Sequence, residues 1–215
     1  MAEPRTRIPT QLYLISPLEV GGDFPQRLER ALSAGSVAAF QFRVKDVDQH
    51  EAARLAEPLQ AICAAHDVAF IVNDSVALAK RLKADGVHLG QKDGDVRQAR
   101  EELGREAQIG VTCHASRHLG MEAGEAGADY VAFGAFFPSQ TKESDHRPDL
   151  ELLQFWQEMM EIPSVAIGGI TPENCRPLAE AGADFVAVSH AVWGGDEAEA
   201  VRAFNTALEG AHLRN

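Results

Sequence analysis

At 215 residues, with 45% hydrophobic and 24% charged side chains, the chain has the composition of a folded globular protein and not of a disordered one. Its formal charge of -12 excludes a broad nucleic-acid or anionic-membrane surface, which would need clustered Lys and Arg to displace counterions. No apolar run is long enough to span a bilayer, the start MAEPRTRIPT lacks a signal-peptide core, and Cys63, Cys113 and Cys175 lack metal or redox spacing, so a reducing cytosolic location is expected.

In chain order, eight short apolar, β-branched or aromatic runs read as strands: QLYLIS from Gln11, VAAFQFRV from Val37, AFIVN from Ala69, GVHLGQ from Gly86, IGVTCH from Ile109, YVAFGAFF from Tyr130, SVAIGGI from Ser164 and FVAVSHAV from Phe185. Between them lie stretches such as EAARLAEPLQAICAAH and LELLQFWQEMME, where Ala, Leu, Glu and Gln dominate at helical spacing. Near-continuous apolar strands alternating with helices imply a parallel sheet covered on its faces, and eight units suggest a closed α/β barrel, a single (β/α)8 TIM barrel. We expect one domain over 1–215, with the barrel at about 11–210 and short flexible termini; a doubly wound open sheet is the alternative. The phrase EAGAD occurs twice, from Glu125 and from Glu180. Each copy reads as a helix ended by a left-handed glycine, Gly127 or Gly182, with Asp129 or Asp184 leading into the next strand.

Barrel active sites gather at the carboxyl ends of the strands, so the residues there carry the functional argument. In QFRVK, alternation places Gln41, Arg43 and Lys45 on one side, towards a barrel's interior or mouth; an exposed edge strand would give the same pattern. In FIVNDSVALA, Asn73 or Asp74 reads as a helix cap, yet Asp93, beyond the adjacent strand in GVHLGQKDGD, offers a second carboxylate. Two carboxylates from neighbouring loops suit a hard divalent ion that also keeps water and phosphate oxygens. His88 lies within its strand and reads as a satisfied interior histidine. His114, at the end of strand five, is a lone histidine that reads as structural before it reads as an acid or base.

Further along, FGAFFPSQTKES places Ser139, Thr141 and Lys142 in a loop whose hydroxyls and lysine suit phosphate; a solvated surface loop is the plain reading. In AIGGITPEN, Gly168 and Gly169 let the backbone approach a ligand closely, and Thr171 with Pro172 reads as a helix start offering N–H groups to an anion. Arg43, Lys45 and Lys142 as cations, with Asp74 and Asp93 as metal ligands, form an inventory that stabilises a departing diphosphate. No order of Ser, His and Asp suggests a hydrolase triad.

The motifs QFRVK, IVND, ADGVHLGQKD, IGVTCH, DYVAFGAFFPSQTK, IPSVAIGGITPEN and AGADFVAVS, in this order and spacing, resemble those of the thiamine-phosphate synthase family from about Leu12 to Trp193. The resemblance implies small-molecule substrates: 4-amino-2-methyl-5-(diphosphooxymethyl)pyrimidine and hydroxyethylthiazole phosphate, or its carboxylated form. It implies that Gln41, Arg43, Lys45, Asn73, Thr112 and Lys142 hold the pyrimidine diphosphate. It also implies that Asp74 and Asp93 hold Mg2+, and that Ser139, Gln140, Thr141, Gly169, Ser189 and His190 contact the thiazole phosphate. A homodimer stays open. Thr112 and Ser139 exchange Ser and Thr relative to the family pattern, Ser189-His190 replaces a small apolar residue followed by Ser, and ESDHRPDLELL lacks a glycine usual after the Thr-Lys pair. Two rival readings are a thiazole tautomerase using a histidine like His114 and a silent phosphate-ligand-binding barrel. Intact Asn73-Asp74 and Gln91 to Asp93 favour the synthase over the tautomerase.

Overall fold

The computed structural model describes residues 9–138 and 147–212. The strands are β1 (Gln11–Ile15), β2 (Ala39–Phe42), β3 (Ala69–Asn73), β4 (Gly86–Leu89), β5 (Gln108–His114), β6 (Tyr130–Gly134), β7 (Ser164–Ile167) and β8 (Phe185–Val188). The helices are α1 (Phe24–Ala34), α2 (Gln49–Ala65), α3 (Val76–Leu82), α4 (Val96–Leu103), α5 (Arg117–Glu125), α6 (Leu150–Met159), α7 (Arg176–Glu180), α8 (His190–Trp193) and α9 (Glu197–His212). All strand pairs are parallel and each strand pairs with its sequence neighbours. β8 returns to β1 in the register Gln11↔Phe185 to Leu14↔Val188, which closes the barrel and removes the open-sheet alternative. No described helix is long and apolar enough to cross a membrane.

Strand periodicity divides the apolar residues into two cores. Leu12, Leu14, Phe40, Phe42, Phe70, Val72, Val131 and Phe133 belong to the layer between strands and helices, while Tyr13, Ile15, Ile71, Tyr130, Ala132, Val165 and Ala187 fill the barrel. Interior parity therefore also collects Gln41, Asn73 and His88. Phe133 of β6 meets Trp156 of α6 edge-on at 4.9 Å, and Phe40 of β2 meets Trp193 of α8 edge-on at 6.5 Å, tying helices to the outer face of the strands.

The repeated EAGAD phrase has a structural cause. Gly127 and Gly182 adopt φ of 98° and 107°, as expected of glycines that end helices. The aspartates do more than lead into strands. Asp129 Oδ2 accepts from Ile109 N at 2.7 Å while Asp129 N donates to Ile109 O; Asp184 makes the same pair of bonds with Ser164. Asp85 does so with Phe70, which adds a third copy in which the phrase is not spelled out. Each acid stands just before an even-numbered strand and clamps the start of the strand before it. The amino-terminal rim is thus held by paired bonds, and the opposite rim is left for chemistry.

Candidate active site

A polar chain crosses the barrel interior beneath that opposite rim. Gln41 Nε2 donates to Tyr13 Oη at 3.0 Å, Tyr13 Oη lies 2.9 Å from Tyr130 Oη, and Tyr130 Oη lies 3.1 Å from His88 Nδ1. His88 Nε2 then lies 2.8 Å from Thr112 Oγ1. Gln41, His88 and both tyrosines are buried, and His88 stacks on Tyr130 at 5.6 Å between ring centroids. Burial pulls the His88 imidazole from 6.5 down to about 4, so it is neutral at physiological pH, and burial pushes the Tyr13 phenol up to about 12. His88 is the satisfied interior histidine that its position within a strand suggests. Tyr13 and Tyr130, the chain's two tyrosines, escaped the sequence reading because a Tyr in an apolar strand resembles core. Their interior parity was the available signal.

Above this chain sit the charged groups. Arg43 and Lys45 follow β2, with the Arg43 backbone held by Ser16: Arg43 N donates to Ser16 Oγ at 2.9 Å, and Ser16 Oγ donates back to Arg43 O at 3.1 Å. Asp74, directly after β3, adopts φ of 65°, an unusual conformation for a non-glycine residue, with its N–H donating to His88 O at 2.8 Å. Neither Asn73 nor Asp74 caps α3. Ser75 does, accepting from Leu78 N, so the cap expectation is corrected and the Asp74 carboxylate is free of that duty. Asp93 Oδ2 accepts from Gly90 N at 3.0 Å, which folds the β4 loop back on itself.

The two carboxylates meet. The Asp74 carboxyl is held above its ordinary range first by burial, then by the Asp93 charge and a hydrogen bond with Asp93, against the opposing pull of Lys45 and Arg43. Four residues from the β2, β3 and β4 loops thereby form one electrostatic group. A divalent ion fits such a pair, because it would relieve the repulsion that raises Asp74. No group of three His, Cys, Asp or Glu side chains suited to a metal occurs among the described residues.

Thr112 is half-buried beside this group, and its carbonyl accepts from Gln91 Nε2 at 2.6 Å. A register shift between Thr112 and His114 breaks the β5–β6 ladder, and His114 is exposed with φ of 51°. In the β7 loop the two glycines pack closely, and the helix start expected at Thr171 is displaced. Gly168 and Gly169, at φ of 104° and 61°, bring their backbone against Ala135 and against Phe137 and Pro138 of the β6 loop; a Cβ at either position would collide there. Their first service is to dock two loops together, and the ladder continues with Phe136 N donating to Ile167 O and Phe137 N to Gly168 O. Thr171 does not cap a helix: α7 begins at Arg176, and the Thr171 N–H donates to Asn174 Oδ1 at 2.8 Å. The Pro after Thr171 opens a turn instead.

Ser189 is half-buried, donating to Ser16 O at 3.4 Å, and His190 is exposed at the start of α8. Ser139, Gln140, Thr141 and Lys142 lie outside the described residues. The structure therefore brings Gln41, Arg43, Lys45, Asp74, Asp93 and Thr112 into one region, with Asn73 on the interior side of β3, and places Gly169, Ser189 and His190 at the ends of β7 and β8.

The family model described as thiamine monophosphate synthase matches residues 12–192. A thiamine-phosphate synthase of Erythrobacter litoralis is 77% identical over 95% of this chain and 97% of its own length. One from Rhodospirillum centenum is 52% identical over 93% of this chain and 98% of its own. Among solved structures, a thiamine phosphate pyrophosphorylase from Pyrococcus furiosus superposes with a TM-score of 0.83 at 32% identity, covering 94% of this chain and 96% of that one.

Proposed function

Because the chain belongs to the thiamine monophosphate synthase family, a family of transferases, we propose that its barrel mouth joins 4-amino-2-methyl-5-(diphosphooxymethyl)pyrimidine to hydroxyethylthiazole phosphate or its carboxylated form, releasing diphosphate. The observation that carries this reading is the Asp74–Asp93 carboxylate pair under the influence of Lys45 and Arg43. Asp74 and Asp93 would hold Mg2+, which when bound neutralises negative charge on a departing diphosphate.

The remaining work falls to the chain's own groups. Arg43 and Lys45, with Lys142, supply positive charge to the leaving group, and Gln41, Asn73 and Thr112 orient the pyrimidine. Loss of diphosphate leaves a pyrimidine methylene cation, captured by the thiazole nitrogen, so no side-chain nucleophile is needed. A mouth closed to water protects that cation. Ser139, Gln140, Thr141, Gly169, Ser189 and His190 receive the thiazole phosphate. The enzyme works as one barrel domain in the cytosol. A tautomerase reading would leave the Asp74–Asp93 pair without a task.

The test is formation of thiamine phosphate from the two purified substrates, with Mg2+ and with a chelator in its place. Product with Mg2+ alone is expected, and Asp93→Ala should abolish it while circular dichroism and the unfolding transition stay those of a folded barrel. Equal turnover with chelator, or normal turnover in Asp93→Ala, would remove the metal assignment.

A further inference from the structure

We infer that His88 is a positioning residue: as the Nε2–H tautomer, it completes a one-way hydrogen-bond chain from Gln41 that makes the Thr112 hydroxyl a donor towards the mouth. This rests on the reading above that Thr112 meets the pyrimidine diphosphate. Gln41 presents its amide nitrogen to Tyr13, and an amide N–H can only donate. Among the described residues Tyr13 Oη has two partners, Gln41 and Tyr130, so its own proton has one place to go, Tyr130 Oη. Tyr130 Oη, having accepted, must give its proton to its remaining partner, His88 Nδ1.

A neutral imidazole that accepts at Nδ1 carries its proton at Nε2, and Nε2 faces Thr112 Oγ1 at 2.8 Å. Thr112 accepts that proton and keeps its own for a partner outside the chain. If Tyr130 instead donated to Tyr13, the Tyr13 proton would be stranded in the barrel, and buried donors without acceptors are strongly disfavoured. The rings hold the order in place: His88 stacks on Tyr130 at an interplanar angle of 28°, and Tyr13 meets Tyr130 edge-on. Gln41, using an N–H inward, keeps its amide oxygen as an acceptor. The two ends of the chain thus carry opposite polarity, an acceptor on β2 and a donor on β5, which suits an aminopyrimidine diphosphate that offers both an N–H and acceptor atoms.

Two measurements test this. In the intact protein, 15N spectra of the histidine rings, with His88 assigned by its loss in His88→Gln, should show protonated Nε2 and bare Nδ1; the reverse tautomer would overturn the proton order without any appeal to activity. Calorimetric affinity for the pyrimidine diphosphate, with thiazole phosphate withheld, tests the coupling. His88→Phe and Thr112→Val should each weaken binding about tenfold, one hydrogen bond's worth. The double variant should be no weaker than Thr112→Val alone, and Thr112→Ser should bind like the parent. Losses that simply multiply would show that His88 does not act through Thr112. Absence of binding by the parent protein would refute the functional reading itself, while the tautomer still decides the proton order.

Discussion

Gly110 shows how a single absent methyl group admits a functional side chain. A Cβ there would overlap the ring of Tyr130, which occupies the space above β5 on its way to His88. Gly110→Ala should cost about 1–3 kcal/mol by overpacking and displace the Tyr130 hydroxyl from the polar chain. Urea unfolding would measure the first effect and the affinity for the pyrimidine diphosphate the second; a variant unchanged in both would mean that Tyr130 has room to spare. Single residues also mark how far sequence reading reaches. Gln41, His88 and Asp93 were legible because polar groups at interior parity or strand ends are unusual there. Tyr13 and Tyr130 were not, since phenols in apolar strands are ambiguous until a partner across the barrel is known. Their separation in sequence, 117 residues, is the reason.

Among the elements, the three aspartate clamps explain the repeated phrase better than helix termination does. Ser164 is wholly buried, and Asp184 supplies the acceptor for its N–H at 2.8 Å. Asp184→Ala should destabilise the fold by about 1–3 kcal/mol, the usual consequence of stranding a buried donor, while leaving kcat intact, because the clamp lies at the rim opposite the mouth. A thermal unfolding curve together with a turnover assay distinguishes these; a large fall in kcat at unchanged stability would contradict the division of labour between rims. The loop expectations fared less evenly. Helix starts after β3 and β7 were displaced by one and by several residues, since Ser75 and not Asp74 caps α3, and the Thr171 turn precedes α7. Capping residues that follow one another closely compete, and only the backbone path decides between them.

For the molecule as a whole, electrostatics couple the site to stability. Mg2+ at about a hundred times its dissociation constant should stabilise the folded chain by about 2.7 kcal/mol, and Asp74→Asn should remove that gain while raising the stability of the metal-free protein, because the paired charge is relieved. Thermal melts with and without the ion check both; an unchanged ion effect would exclude Asp74 as a ligand. Acid acts in part through His88. Its imidazole titrates near 6.5 when unfolded and about 4 when folded, so it is neutral in both states above pH 6.5 and makes no contribution there. As pH falls through that window only the unfolded chain takes up the proton, and stability declines by about 3 kcal/mol in all. Denaturant unfolding from pH 7 to pH 4 should show this decline, reduced in His88→Gln; parallel curves would mean that His88 titrates normally.

Strand number, the parallel sheet and the inventory of charged groups follow from the sequence by itself, because side-chain period and composition are local properties that tertiary contacts do not rewrite. Barrel closure, the meeting of Asp74 with Asp93, the docking of Gly168 and Gly169 against the β6 loop, and the course of the polar chain through Tyr13 and Tyr130 were decided only by tertiary structure. Each depends on distances between residues far apart in the chain. Those distances come from packing all eight strands at once, and no single stretch of sequence contains them.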